Sequence, residues 1–378
     1  MKKYIISLLS IVLFVALISC NDSSNVLPPP VVTSRYDASN IEDMLDTLST
    51  YGQVRLTSDI EFSVQVAPDT AFSFPTVDGV AEIDLNGHTL VVSSNNNITV
   101  PADSTNIFRD GLLVINNMKP HNPNETYCDL TVGENSTLEM YGVTLNTSWG
   151  GILAQENNAT IKIENSNIFS YGYYGVGTNA SIPAQDINIS IINSKIEVGN
   201  TVSELGIPVD ESTVQNGHDP DGAAIFYNVN GELVVENSTI VGGAQAIYLR
   251  GCKDAVIRNS ILIGGNANGN PDVFARFSKP NSWSGSGNMG PYATIVIGNN
   301  YSPNGKYPES TTCTIENTEI IVADDTRKVN GVPQRTVFVA STADHKVTLE
   351  IPEPYASSIK EIDNHVGTNI VINGVALQ

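Results

Sequence analysis

The chain has 378 residues, with 40 aspartates and glutamates against 19 lysines and arginines and only 16% charged residues in all. A net charge of −21 repels polyphosphate, which excludes nucleic acid as a partner and requires a cation or a local basic patch before an anionic polysaccharide can dock. Long charged helices are excluded by the sparse charge, whereas the 40 asparagines stand far above their usual share.

Lys2 and Lys3 precede an apolar run from Tyr4 to Ile18, too short to span a bilayer comfortably, which ends in Leu17-Ile18-Ser19-Cys20. This end resembles a bacterial lipoprotein signal. The resemblance implies that residues 1–19 are a signal peptide and that Cys20 becomes the lipidated first residue. Loss of the two lysines leaves 17 basic against 40 acidic residues, a charge of −23. Residues 20–34, with Pro28-Pro29-Pro30, then read as a semi-rigid tether. The expected location is the cell envelope, lipid-anchored at the outer membrane, on either its periplasmic or its surface side. No later stretch is long and apolar enough to span, so membrane contact is expected through the anchor alone. Cys128, Cys252 and Cys313 match no metal or redox spacing and read as packing residues, with one disulfide among them open.

From residue 35 to 378 the chain reads as one domain. A helix is expected over Asn40 to Thr50, capped by Asp37 or Ser39, with Ile41, Met44, Leu45 and Leu48 on one face and Tyr51-Gly52 as its stop. Short runs with period-two alternation follow, among them Val54-Arg55-Leu56 and Ala81 to Leu90. A unit of alternating apolar residues, Asn, a small residue, any residue and an apolar one then recurs. It appears at Ile161 to Ile168, Ile189 to Ile196, Leu233 to Ile240, Ala255 to Leu262 and Cys313 to Ile320, with a degenerate copy at Leu138 to Leu145. The Asn positions are spaced by about 22 residues, about twice that, or more where a Gly- and Pro-rich insertion intervenes. Each repeat is read as one coil of three strands. Asn165 bends the chain between Thr160 to Glu164 and Asn167 to Ser170, and a third strand follows over Gly175 to Asn179. Asn tolerates the left-handed backbone such a bend needs, and its amide can bond its copy on the next coil.

These repeats, together with Ile83-Asp84-Leu85-Asn86-Gly87-His88-Thr89-Leu90, resemble the pectate-lyase-like right-handed parallel β-helix superfamily over roughly Val54 to Ile351. The fold class expected is therefore all-β, a right-handed parallel β-helix with an N-terminal capping helix, and the resemblance directs attention to the outer side of the third strand. Its outward positions form one column of Leu153, Gly177, Phe226, Tyr248 and Val296 and another of Gln155, Asn179, Asn228, Arg250 and Gly298. Neither column carries a carboxylate, and the Asn-Thr-Asp, Gly-His-Gly and Arg-Ile-Lys motifs of polygalacturonase-type hydrolases are absent, which counts against glycoside hydrolysis.

Two long loops, Val198 to Gly222 and Gly264 to Tyr292, lead into this strand, where function concentrates on rigid scaffolds. The first supplies His218 as acid or base, with Asp219 and Asp221 as carboxylate partners beside Arg250 or as holders of Ca²⁺, the one cation considered; no metal or cofactor is required. Arg276, Lys279 and Trp283 of the second join Trp149, Tyr171, Tyr173, Phe226, Asn228 and Tyr248 as a sugar-binding set, aromatic faces for stacking and polar groups for hydroxyls. The leading expectation is a monomeric envelope lipoprotein that binds a glycan without catalysis. The alternatives are a polysaccharide lyase, or less readily a hydrolase, in the same groove, and a structural surface protein that contacts a protein partner.

Overall fold

The computed structural model describes residues 36–67, 70–118, 128–172, 174–178, 185–199, 204–206, 222–243, 245–265, 293–298, 310–323, 328–329, 332–361 and 365–377. All lie in one unit, Val32–Gln378. The chain is an all-β parallel β-helix, in which strands of successive coils stack in register on three faces. Strands Thr105–Asn117 and Thr137–Thr147 run through the bend between the first two faces and join them into one 20-stranded sheet. The third face is a separate 9-stranded sheet that runs from Ile98–Val100 to His365–Val366.

Alternation explains why these segments are strands. In Thr160–Glu164 the side chains of Ile161 and Ile163 are buried and the intervening ones are not, the period of a sheet with one face on a core. On the first face Leu138, Ile161, Ile189, Leu233, Ala255, Cys313, Leu349 and Ile372 lie in register. On the third, Leu130, Ile152, Val176, Ile225, Ile247, Ile295 and Val337 do the same, each fully buried. Each such side chain contributes roughly 1.5–3 kcal/mol of burial. Cys313 sits within the first of these columns, and Cys128, Cys252 and Cys313 are all buried free thiols without a disulfide. Burial raises all three thiols, that of Cys313 to about 12, so they act as apolar packing groups.

The asparagine bends adopt the left-handed backbone expected of them, with φ of 50° at Asn165, 51° at Asn193, 50° at Asn237, 52° at Asn259 and 43° at Asn317; Gly142 replaces Asn in the degenerate copy at 67°. The amide ladder is realised among these five only where Asn317 Nδ2 donates to Asn259 Oδ1 at 2.8 Å. The residue after the Asn carries the continuous ladder instead. Backbone N–H groups of Ser166, Ser194 and Ser238 each donate at 3.1 Å to the hydroxyl of Ser194, Ser238 and Ser260 on the next coil. Each of these hydroxyls donates in turn to its own chain two residues back, Ser194 to Ile192 O and Ser238 to Glu236 O at 2.7 Å and Ser260 to Arg258 O at 2.8 Å. A buried hydroxyl in this place is thus satisfied as donor and acceptor.

Helix α1, Ile41–Tyr51, closes the first coil, with Met44 and Leu48 fully buried and Ile41 and Leu45 against the same core. Its cap is Asn40, whose Oδ1 accepts from Asp43 N at 3.0 Å, rather than Asp37 or Ser39. Asp37 is committed elsewhere, in the strand Asp37–Ala38 paired with Arg55 and Leu56. Gly52 ends the helix at φ 69°, its N–H on Leu48 O. At the other end the stack continues past Ile351 to Ile370–Ile372, after a second helix, α2, Tyr355–Glu361. Strand Val375–Ala376 then turns back antiparallel on Ile370–Ile372.

Candidate functional site

The outer side of the third face is built by register. Leu153, Gly177, Phe226, Tyr248, Val296 and Phe338 stand opposite one another on consecutive coils. All of these but Gly177, with Tyr174 and Cys128, belong to an apolar cluster separate from the interior of the helix. Tyr174 stacks on Phe226 at 4.6 Å with the rings 8° apart, and Tyr248 meets Phe226 edge-on at 5.3 Å. Gly177 is required here, because a Cβ would come within 2.8 Å of the Tyr174 ring. Arg335 lies over the Phe338 ring at 5.4 Å.

The neighbouring column brings Asn228 and Arg250 to the same side, one residue beyond the paired Tyr227 and Leu249. Thr178 Oγ1 donates to Asn228 Oδ1 at 2.9 Å and accepts from Asn228 N at 2.8 Å. That leaves Asn228 Nδ2 a buried donor without an acceptor. The backbone N–H of Arg250 donates to Tyr227 O at 2.7 Å, and its side chain is the largest fully buried one among the described residues. Phe226, Tyr248, Asn228 and Arg250 are each about 1% exposed. The sequence pattern places them on an outward face and implies an open groove; they are instead under cover, because aromatic rings in register bury a large apolar area as soon as they are enclosed.

The remaining described residues of the expected set divide. Trp149 is buried at a corner of the third face, where its N–H joins those around Asp129. Tyr171 belongs to a different cluster, with Val114 and Leu205 on the second face, and so does not share a surface with Phe226 and Tyr248. His218, Asp219, Asp221, Tyr173, Arg276, Lys279, Trp283 and Cys20 lie outside the described residues. Among the described residues no group of three His, Cys, Asp or Glu side chains is arranged to hold a metal ion.

One ionisable group escaped the sequence reading. Asp129 is fully buried, and its Oδ2 accepts from Ser148 N at 2.7 Å, Trp149 N at 3.1 Å and Ser148 Oγ at 3.2 Å. Burial outweighs these bonds and pushes the carboxyl up to about 8, so it carries its proton at neutral pH. The signal for it was an acidic residue set immediately before the apolar strand Leu130–Val132.

No family model matches the chain, and no curated protein matches it. Among solved structures, the chain is similar to an alginate lyase from Paenibacillus sp. str. FPU-7, at 14% identity and a TM-score of 0.38 over 89% of this chain and 98% of that one. At that distance the likeness carries no functional argument.

Proposed function

We propose that this chain is a lipid-anchored envelope protein whose β-helix binds a glycan on the outer side of its third face without cleaving it. The observation that carries the reading is the Asn228 amide. Its Nδ2 donor is buried without an acceptor beside the Arg250 position and the Tyr174, Phe226 and Tyr248 rings, a state that costs free energy until a ligand oxygen supplies the missing partner. Binding rather than hydrolysis is favoured because the described strands of the third face contain no Asp or Glu, whereas hydrolysis needs paired carboxylates. The lyase reading draws on His218, Asp219, Asp221 and Arg250.

The test is a panel of neutral and acidic polysaccharides, with and without Ca²⁺, scored for binding and for unsaturated or reducing-end products. The expected result is binding without product, lost in Asn228→Asp, which keeps the acceptor for Thr178 but removes the donor, while thermal unfolding reports that the chain is still folded. Product formation abolished by His218→Ala would replace this reading with the lyase. Neither binding nor product would favour a protein partner. The anchor is tested separately by labelling with a fatty-acid analogue, which should mark the wild type and not Cys20→Ala.

A further inference from the structure

On the second face, away from the residues just described, the strands Thr105–Asn117, Thr137–Thr147 and Asn167–Ser170 border an open groove of about 500 Å³. In register across this face stand Val114, Asn146, Phe169 and Glu197, and beside them Leu112, Thr144, Asn167 and Lys195. Phe169 is half-buried and lines the groove with Leu112, Thr144, Asn146 and Glu204.

Asn146 is what distinguishes this groove from an ordinary solvated face. It is only 8% exposed, and its Nδ2 is held by donation to Leu205 O at 2.9 Å. That bond fixes which way the amide points and leaves Oδ1 buried with no donor. A buried carbonyl oxygen in this condition is stabilised by a ligand that brings a hydrogen-bond donor. The charges select further. Lys195 is paired with Glu197 at 2.5 Å and stands 5.4 Å from the Phe169 ring centroid, and Glu204 adds negative charge to the lining. A carboxylated ligand therefore meets Glu204 in the lining, while the Lys195 charge in register with Thr144 and Asn167 is already paired.

We infer that this groove is a second binding site, a subsite for a neutral, hydroxyl-bearing sugar ring that packs on Phe169 and donates a hydroxyl to Asn146 Oδ1, with Thr144 supplying a further hydroxyl contact. It shares no residue with the third-face site, so either can fail while the other stands.

Saturation-transfer NMR on the full chain, with glucose, galactose, N-acetylglucosamine and galacturonate as probes at millimolar concentration, tests it. Transfer to at least one neutral sugar is expected, and weaker or no transfer to galacturonate. In a chain that also carries Asn228→Asp, which silences the third-face site, Asn146→Leu should weaken binding about tenfold, the worth of one well-made hydrogen bond, and Phe169→Ala should abolish it, with thermal unfolding recorded for both. Phe169→Trp keeps a platform and should retain binding, with a fluorescence change on addition of sugar. The inference is overturned if no neutral sugar receives transfer, if galacturonate is preferred, or if binding persists undiminished in the folded Asn146→Leu and Phe169→Ala chains.

Discussion

Asp129→Asn isolates the energetics of the corner where the third face begins. The Asp129 carboxyl lies at about 8 in the folded chain against an ordinary 3.8, because burial outweighs the three hydrogen bonds to its Oδ2. The folded state thus holds this proton more tightly than the unfolded state. Its contribution to stability is full below pH ~4, declines between pH ~4 and ~8 as the unfolded chain releases the proton that the folded chain retains, and is level above that. About four units at about 1.36 kcal/mol each set the decline on the order of 5 kcal/mol. An amide in the same place keeps an oxygen for Ser148 N and Trp149 N and has no charge to bury. Urea unfolding at pH 5 and pH 9 should therefore show wild type losing several kcal/mol relative to Asp129→Asn. Asp129→Ala, which strips three donors of their acceptor, should be less stable than Asp129→Asn at both pH values by about 1–3 kcal/mol. Parallel pH profiles for wild type and Asp129→Asn would refute a protonated carboxyl at this corner.

Two further outcomes test the coil itself. Ser238→Ala removes the acceptor for Ser194 N and should cost about 1–3 kcal/mol in urea unfolding, while Ser238→Thr should be close to wild type, since Thr318 already accepts from Ser260 N in this role. Ile247→Asp places an unpaired carboxylate in the interior and should give no folded protein, whereas Ile247→Val should cost about 0.5–1.5 kcal/mol by the same assay.

Much of the coil was legible because period-two alternation assigns each strand residue to the inside or the outside. Ile152, Val176, Ile225, Ile247 and Ile295 fall on one inward column, and Leu153, Gly177, Phe226, Tyr248 and Val296 on one outward column, as the repeat implies. Alternation does not reveal what lies over an outward residue, so the near-complete burial of Phe226, Tyr248 and Arg250 could not be read from it. The serine ladder was hidden for a related reason. A small residue after Asn fits a tight bend on steric grounds, and only the stacking distance between coils turns its hydroxyl into the acceptor for the next backbone. Sequence alone does not single out Asn40 as the helix cap, because Asp37 and Ser39 are equally good capping types and the choice among them depends on the pairing of Asp37 with Arg55. Asp129 gave no motif, since burial in the folded chain is what raises its carboxyl, and the groups that bond to it lie 19 and 20 positions away in sequence.

The two ends of the stack determine whether such a protein has a finite length. Every interior coil offers a neighbour the same parallel edges on the same apolar interior, so nothing within the repeat itself says where addition should stop. Met44 and Leu48 of α1 and the strand Asp37–Ala38 occupy those positions at the start, and the reversed strand Val375–Ala376 takes the edge of Ile370–Ile372 at the finish. A chain stripped of residues 36–52 and of Val375–Ala376 would present a bare coil at each end, which further copies could extend in the same head-to-tail sense. Because that contact closes on nothing, it would propagate as a fibre. The helix and the short reversed strand, which contribute least to the pattern of the fold, are in this sense the parts that keep it a discrete molecule.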